Sequence, residues 1–302
     1  MSKKFFATII GITALAMTLQ AQTITKSQEY SAFNTIEVGD SFNVSFKPSE
    51  SGNYMAEWTI DTVLENYVAV YVKNKTLYVD LDERAMNKDK EVKALYKGRN
   101  AAKPVLNVII KVPAFQTLKI TDDAVVDAMG TNFENNDFNL EATGNAKVNN
   151  LTVNAKKGSI KMQKSAVVTM NLTANDLEIE LKNNAALNLN QDSKNLKIQA
   201  EQNAVLTLTG GSNAVEIECK NASKTNLSGS ATSINLIAKD RAEVDATRFP
   251  VKDLTVNMKN NSKFNGNVSS NLSLEMDGAS LTFSGNPDIK IVSLSKATVA
   301  HQ

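Results

Sequence analysis

From residue 113 onward an apolar residue recurs with a small residue six positions after it, and the pair repeats about every nineteen residues. The pairs are Leu118/Ala124, Leu140/Ala146, Ile160/Ala166, Ile179/Ala185, Ile198/Ala204, Ile217/Ser223, Leu236/Ala242, Val256/Ser262, Leu274/Ser280 and Ile291/Ala297. Successive first members stand 22, 20, 19, 19, 19, 19, 20, 18 and 17 residues apart. Such a period is too long for a hexapeptide β-helix and lacks the Asp-rich nonapeptide signature of calcium-binding solenoids. Inside each unit the apolar positions alternate. Two residues after the first member come Ile120, Ala142, Met162, Leu181, Ala200, Cys219, Ala238, Met258, Met276 and Ser293. Two after the small residue come Val126, Val148, Val168, Leu187, Leu206, Thr225, Val244, Phe264, Thr282 and Val299. A period of two puts these residues on one face of a strand, so they are predicted to form inward-facing columns in ten coils of two short strands each.

Polar pairs sit where the two strands of a coil must meet: Gly144-Asn145, Asn183-Asn184, Gln202-Asn203, Asp240-Arg241, Asn260-Asn261 and Gly278-Ala279. Gly, Asn and Asp tolerate left-handed backbone angles better than other residues, and stacked Asn amides can bond from coil to coil. An antiparallel sandwich of short strands is the competing architecture, but it does not require one spacing in ten consecutive units. The pattern therefore predicts an all-β parallel β-solenoid with coils of about 19 residues. Strands stacked at about 4.8 Å give a rod on the order of 50 Å long.

Residues 22–112 are also β-rich but irregular, with Ile36/Val38 and Phe42/Val44/Phe46 alternating around Gly39-Asp40. Trp58 and all six tyrosines fall before residue 100. In the run 67–72 the valines share one face, so Tyr67, Ala69 and Tyr71 take the other, and Tyr78 stands opposite Leu77, Val79 and Leu81 in the same way. Tyr67, Tyr71 and Tyr78, with Trp58 nearby in sequence, are thus the candidate ligand-binding residues, because aromatic platforms stack on sugars or anchor protein partners. Residues 82–103 interrupt the β pattern with seven basic and four acidic residues and helical character near 90–97. This excursion reads either as a solvated cap on the first coil or as a binding loop displayed on a rigid scaffold.

Composition narrows the chemistry. The 302 residues carry 33 basic and 32 acidic side chains, a net charge of +1 that gives no electrostatic footprint for nucleic acid. A single Cys at 219 and a single His at 301 leave no means of building a His/Cys metal site, a Ser-His-Asp triad or a Cys-His dyad. Cys219 falls in an inward column with Leu181 and Met258 and reads as a small hydrophobe. No metal or other cofactor is expected. Residues 1–21 carry Lys3 and Lys4, an uncharged run from Phe5 to Leu19, and then Leu19-Gln20-Ala21, the layout of a secretory signal peptide cleaved after Ala21. That run is too short to span a bilayer and none follows it. Residues 22–302 then form one continuous solenoid, irregular to 112 and regular from 113 to 302.

The order Phe33-x-x-Ile36-x-Val38-x-x-Ser41-Phe42-x-Val44, the strand Leu77-x-Val79, and the run Val108-x-Ile110-x-Val112-Pro113-x-Phe115-x-x-Leu118-x-Ile120 together resemble the exported bacterial auto-transporter adhesin family called the head GIN domain. The resemblance implies a right-handed parallel β-helix from Bacteroidetes-type bacteria, exported to the periplasm or the cell surface of a Gram-negative cell. It implies no catalytic motif and no established ligand residues.

Three functions compete. The first is a non-enzymatic binding or adhesion module that recognises a glycan or protein at the cell envelope. The second is a structural envelope protein, a homo-oligomer assembled through its solenoid ends. Ser293, Ser295, Lys296, His301 and Gln302 make the final coil read as a polar cap, which argues for display over polymerisation. The third is a polysaccharide-active enzyme. Its carboxylate candidates, Asp122, Asp123 and Asp127 against Asp240 and Asp245, lie about six coils apart, too far to flank one bond. No groove with converging Asp, Arg and Lys is apparent, so the expectation is that the chain is not an enzyme.

Overall fold

In a computed structural model of the chain, which describes residues 22–49, 51–96 and 103–302, the repeat forms a parallel β-solenoid of about ten turns with coils of about 19 residues. The predicted signal peptide lies outside the described residues. The rod begins its regular winding with β8 (Thr117–Ile120), β9 (Val125–Asp127) and β10 (Asn132–Glu134). On these stack β11 (Asp137–Ala142) and β12 (Lys147–Asn154), then β13 (Lys157–Met162). From there the strands run around the corner between coils. β14 (Val167–Leu181), β15 (Ala186–Ala200), β16 (Val205–Cys219), β17 (Lys224–Ala238), β18 (Glu243–Lys259) and β19 (Lys263–Asp277) each join the second face of one coil to the first face of the next.

Pairing from β14 to β16 keeps one offset throughout: Ile179 pairs with Ile198, and Ile198 with Ile217. All ten predicted first members fall on this one ladder, from Leu118 beside Leu140 to Leu274 beside Ile291. The small column is buried as well, with Ala124, Ala146, Ala166, Ala185, Ala204, Ser223, Ala242 and Ser262 all at 0% exposure. In these coils the column beside the corner is filled by small residues, which lets the interior close at native packing density. The corners carry the left-handed angles their composition predicts: φ is 62° at Asn183, 65° at Gln202, 55° at Asp240, 56° at Asn260 and 81° at Gly144. Their side chains bond along the rod, as in Asn203 Nδ2 to Asn184 Oδ1 at 3.2 Å and Asn260 Nδ2 to Asp240 Oδ1 at 2.8 Å.

The last two coils depart from the predicted register. β20 (Ser280–Ser284) stacks on β19 with Ser280 beside Lys263, so Ala279 occupies the small column and Leu281 the next column; Ser280 and Thr282 do not. In β21 (Asp288–Ser295) the ladder shifts at Val292, so Leu294, not Ser293, follows Met276. β22 (Thr298–His301) closes the rod beside β20. The polar cap expected of this coil is absent. Ile289, Ile291, Leu294 and Val299 are 50%, 60%, 43% and 36% exposed, because nothing among the described residues lies over the inward columns they extend, and Val292, at the shift in the ladder, is 59% exposed.

The other end is built out of sequence order. β2 (Thr35–Val38) and β3 (Asn43–Pro48) form a true coil, with Asp40 at φ 54° in its corner and Ile36 and Phe42 in the two columns. The chain then runs to the level beneath. There β6 (Thr76–Leu81) pairs in parallel under β2, and β7 (Leu106–Val112) under β3. It returns through Val112-Pro113-Ala114-Phe115 to β8, above β2. Phe115 is 1% exposed and packs on Phe46, Phe133 and Phe138, with ring centroids 5.1, 4.7 and 6.2 Å away. The irregular segment of the sequence thus contains one regular coil, sandwiched between later ones. Antiparallel strands finish this end: β4 (Tyr54–Asp61) against β7, β1 (Thr23–Tyr30) against β4, and β5 (Val68–Lys73) against β6.

Candidate functional site

The candidate tyrosines belong to this antiparallel end. Asn74 and Lys75, at φ 51° and 60°, make a two-residue turn of the kind that matches strand twist, and it fixes the register of the β5–β6 hairpin. Tyr71 falls directly opposite Tyr78. Their rings stack with centroids 5.1 Å apart and planes 18° apart, and Tyr71 is 41% exposed. On the other face of the hairpin Val70, Leu77, Val79 and Leu81 are buried, so the period-two pattern holds the pair outward on a packed base.

Tyr67 and Trp58 have other surroundings. Tyr67 precedes β5, and its hydroxyl donates to Asp89 Oδ2 at 2.8 Å. Asp89 lies between α1 (Glu83–Lys88) and α2 (Lys90–Tyr96), and its Oδ1 accepts the backbone N–H groups of Glu91 and Val92. The bond from Tyr67, with the two backbone donors, holds the Asp89 carboxyl below its usual range, and the same bond raises the Tyr67 hydroxyl. Trp58 lies on β4, between β1 and β7 rather than on the β5–β6 hairpin, half-buried against the core. The structure therefore brings Tyr71 and Tyr78 together, gives Tyr67 to the helices and leaves Trp58 apart.

The 82–103 excursion is helical over its described part. Asp82 caps α1 by accepting the Ala85 N–H at 2.8 Å. Val92 of α2 is buried, and the Tyr96 hydroxyl donates to Asp61 Oδ2 at 2.7 Å. Burial and then this bond push the Tyr96 hydroxyl up. Asp61 is 1% exposed and also accepts the Val105 N–H, so Tyr96 ties one end of α2 to the rod, while Tyr67 holds the other end through Asp89. Residues 97–102 lie outside the described residues.

A second feature escaped the sequence reading. An outward groove of about 760 Å³ crosses successive coils from Gln116 to Glu216. Asp137, Lys157, Asp176, Glu178, Lys197 and Glu216 line it, so acidic and basic side chains from adjacent coils do converge, contrary to the expectation above. The signal was in the same alignment, in the polar positions of the 19-residue unit, where Asp137, Lys157 and Asp176 are ladder neighbours. Three of these charges are engaged from coil to coil: Asn195 Nδ2 donates to Asp176 Oδ1 at 2.8 Å, and Lys197 Nζ lies 3.7 Å from Glu178 Oε1. Cys219 is fully buried beside the Thr225 hydroxyl, and burial pushes its thiol up to about 11, the opposite of an activated nucleophile. Among the described residues no cluster of His, Cys, Asp and Glu could hold a metal ion, and no helix is long and apolar enough to cross a membrane.

A parallel β rod of stacked coils, with a stacked tyrosine pair at one end and a polar groove along one side, is a repeat protein of the β-solenoid class. The chain belongs to the family described as "Putative auto-transporter adhesin, head GIN domain", whose model matches residues 32–191 and 177–287. Solved structures with a similar chain course include a putative adhesin from Parabacteroides merdae, 14% identical, with 94% of this chain and 97% of that chain covered at a TM-score of 0.45. A putative adhesin from Parabacteroides distasonis is 14% identical over 94% and 98% of the two chains at a TM-score of 0.48. A putative lipid binding protein from the same species is 12% identical over 94% and 98% at 0.46. No curated protein matches the chain.

Proposed function

We propose that the chain is an exported, non-enzymatic binding module that recognises a glycan or protein of the cell envelope, with the stacked Tyr71–Tyr78 pair as its contact platform. The observation that carries this reading is the pair itself. Two aromatic rings are held in register by a tight hairpin over a buried base, and one of them is substantially exposed. A rigid aromatic surface loses little conformational entropy on binding and offers a large contact area. The family assignment agrees with a binding role, and the coil-to-coil bonds of Asp176, Glu178 and Lys197 in the groove suit hydrogen bonding to a polar chain better than bond cleavage.

The test is an array of glycans and matrix proteins probed with the purified chain and with a Tyr71→Ala/Tyr78→Ala double variant. The expected outcome is a saturable signal on one ligand class that weakens at least tenfold in the variant, about 1.4 kcal/mol, while the thermal melt stays cooperative. Equal binding by the variant, or no signal on any class, refutes the assignment.

A further inference from the structure

We propose that the last coil of the rod is a docking surface for a second copy of the chain, joined tail to tail across a two-fold axis. This goes beyond the binding reading and involves the opposite end of the molecule. The two ends differ in kind. At the tyrosine end the antiparallel strands β4, β1 and β5, with Val92 of α2, close the interior, and the outermost strand β1 is largely polar. At the other end β21 pairs only with β19, and β22 only with β20, among the described residues. Their second edges present unpaired backbone groups, and Ile289, Ile291, Leu294 and Val299 extend inward columns with no layer above them. An open strand edge over an exposed apolar layer is a template for another chain, and soluble proteins ordinarily blunt it.

The sequence of β21 is complementary to itself. Paired antiparallel about a point between Ile291 and Val292, it sets Ile289 of each copy opposite Leu294 of the other, both on the inward face. The same register sets Lys290 opposite Ser293, and Asp288 opposite Ser295 and next to Lys296, all facing outward. No like charges meet, Ile289 meets Leu294 in both halves, the apolar Ile291 and Val292 meet at the centre, and Asp288 gains a cationic neighbour twice. An isologous contact of this type closes at two copies. A head-to-tail contact would instead press this apolar layer on the largely polar outermost strand β1.

The test is sedimentation of the purified chain over the micromolar range, with Ile291→Lys and, separately, Val292→Asp as variants. Both side chains are more than half exposed, so the fold should survive, and circular dichroism melts check that. A concentration-dependent dimer is expected, with dissociation at least tenfold easier in each folded variant. A Lys290→Cys/Ser293→Cys variant should oxidise to a covalent dimer, because those positions face each other only across the joint. A monomer at every concentration, species larger than dimer, or variants that dimerise like the parent overturn the proposal. Ligand binding through Tyr71 and Tyr78 is read separately on the array, so failure of one reading leaves the other standing.

Discussion

Asp40 shows how a single corner residue can serve geometry at a cost in charge. At φ 54° it takes the left-handed turn of the β2–β3 coil, and its Oδ2 accepts the Leu81 N–H at 2.7 Å from the coil beneath. Burial, and then the carboxylates of Asp80, Glu83 and Asp122, push its pKa up to about 6 against the backbone bond that lowers it. The folded chain therefore holds a proton that the unfolded chain has already lost, and Asp40 makes stability fall as pH rises from about 4 to about 6. Asn accepts the same bond, tolerates the same backbone angle and carries no charge. Asp40→Asn should accordingly raise stability at pH 7 by about 1 kcal/mol, after allowance for the solvent that reaches this half-buried group, and flatten that slope. Urea midpoints at pH 4 and pH 7 measure both effects. The register of such residues was readable because the corner angle restricts residue type. Where two small residues are adjacent, as at Ala279 and Ser280, composition did not decide which one faces in, and the shortened coil chose Ala279.

At the scale of elements, the helical excursion depends on a few polar bonds. Tyr67 reaches the α1–α2 junction through Asp89, and Tyr96 reaches Asp61 from the end of α2. Tyr67→Phe removes the first bond and leaves the ring. The expected outcome is a helix pair that opens more readily than the rod melts, read as faster proteolytic cleavage within residues 82–103 with an unchanged melting temperature. Equal cleavage rates would show that packing of Val92 alone holds the helices. The sequence marked this segment by its charge density and by the break in the β pattern, but not its anchors, because Tyr67 shares the parity of Tyr71 and reads as a third member of the platform. Periodicity assigns a side chain to a face; it does not tell whether a neighbouring element already covers that face. The groove was lost for a related reason, since apolar columns were aligned and polar columns were not.

For the whole molecule, stability should follow position along the rod, because each coil contacts only its neighbours. Amide exchange should be slowest in β14–β18 and faster toward both ends. In β21 and β22 it should slow as protein concentration rises, if two copies cover each other there. Mass-resolved exchange at two concentrations checks this, and uniform protection along the chain would contradict the stacking picture. Ten coils could be read from spacing alone. The order of the first levels could not, because β6 and β7 take their places by pairing with strands far back in the chain. That inverted order bears on how the protein is made. The coil of β2 and β3 emerges first, yet one neighbour ends at residue 112 and the other at residue 127. A polypeptide emerging from its amino end must hold that coil without a complete neighbour until residue 112 has followed, although β6 can already pair with β2 once residue 81 is out. Winding therefore does not advance coil by coil from the first one made: the β2–β3 coil gains β6 and β7 beneath it first and is closed over only when β8 and β9 arrive.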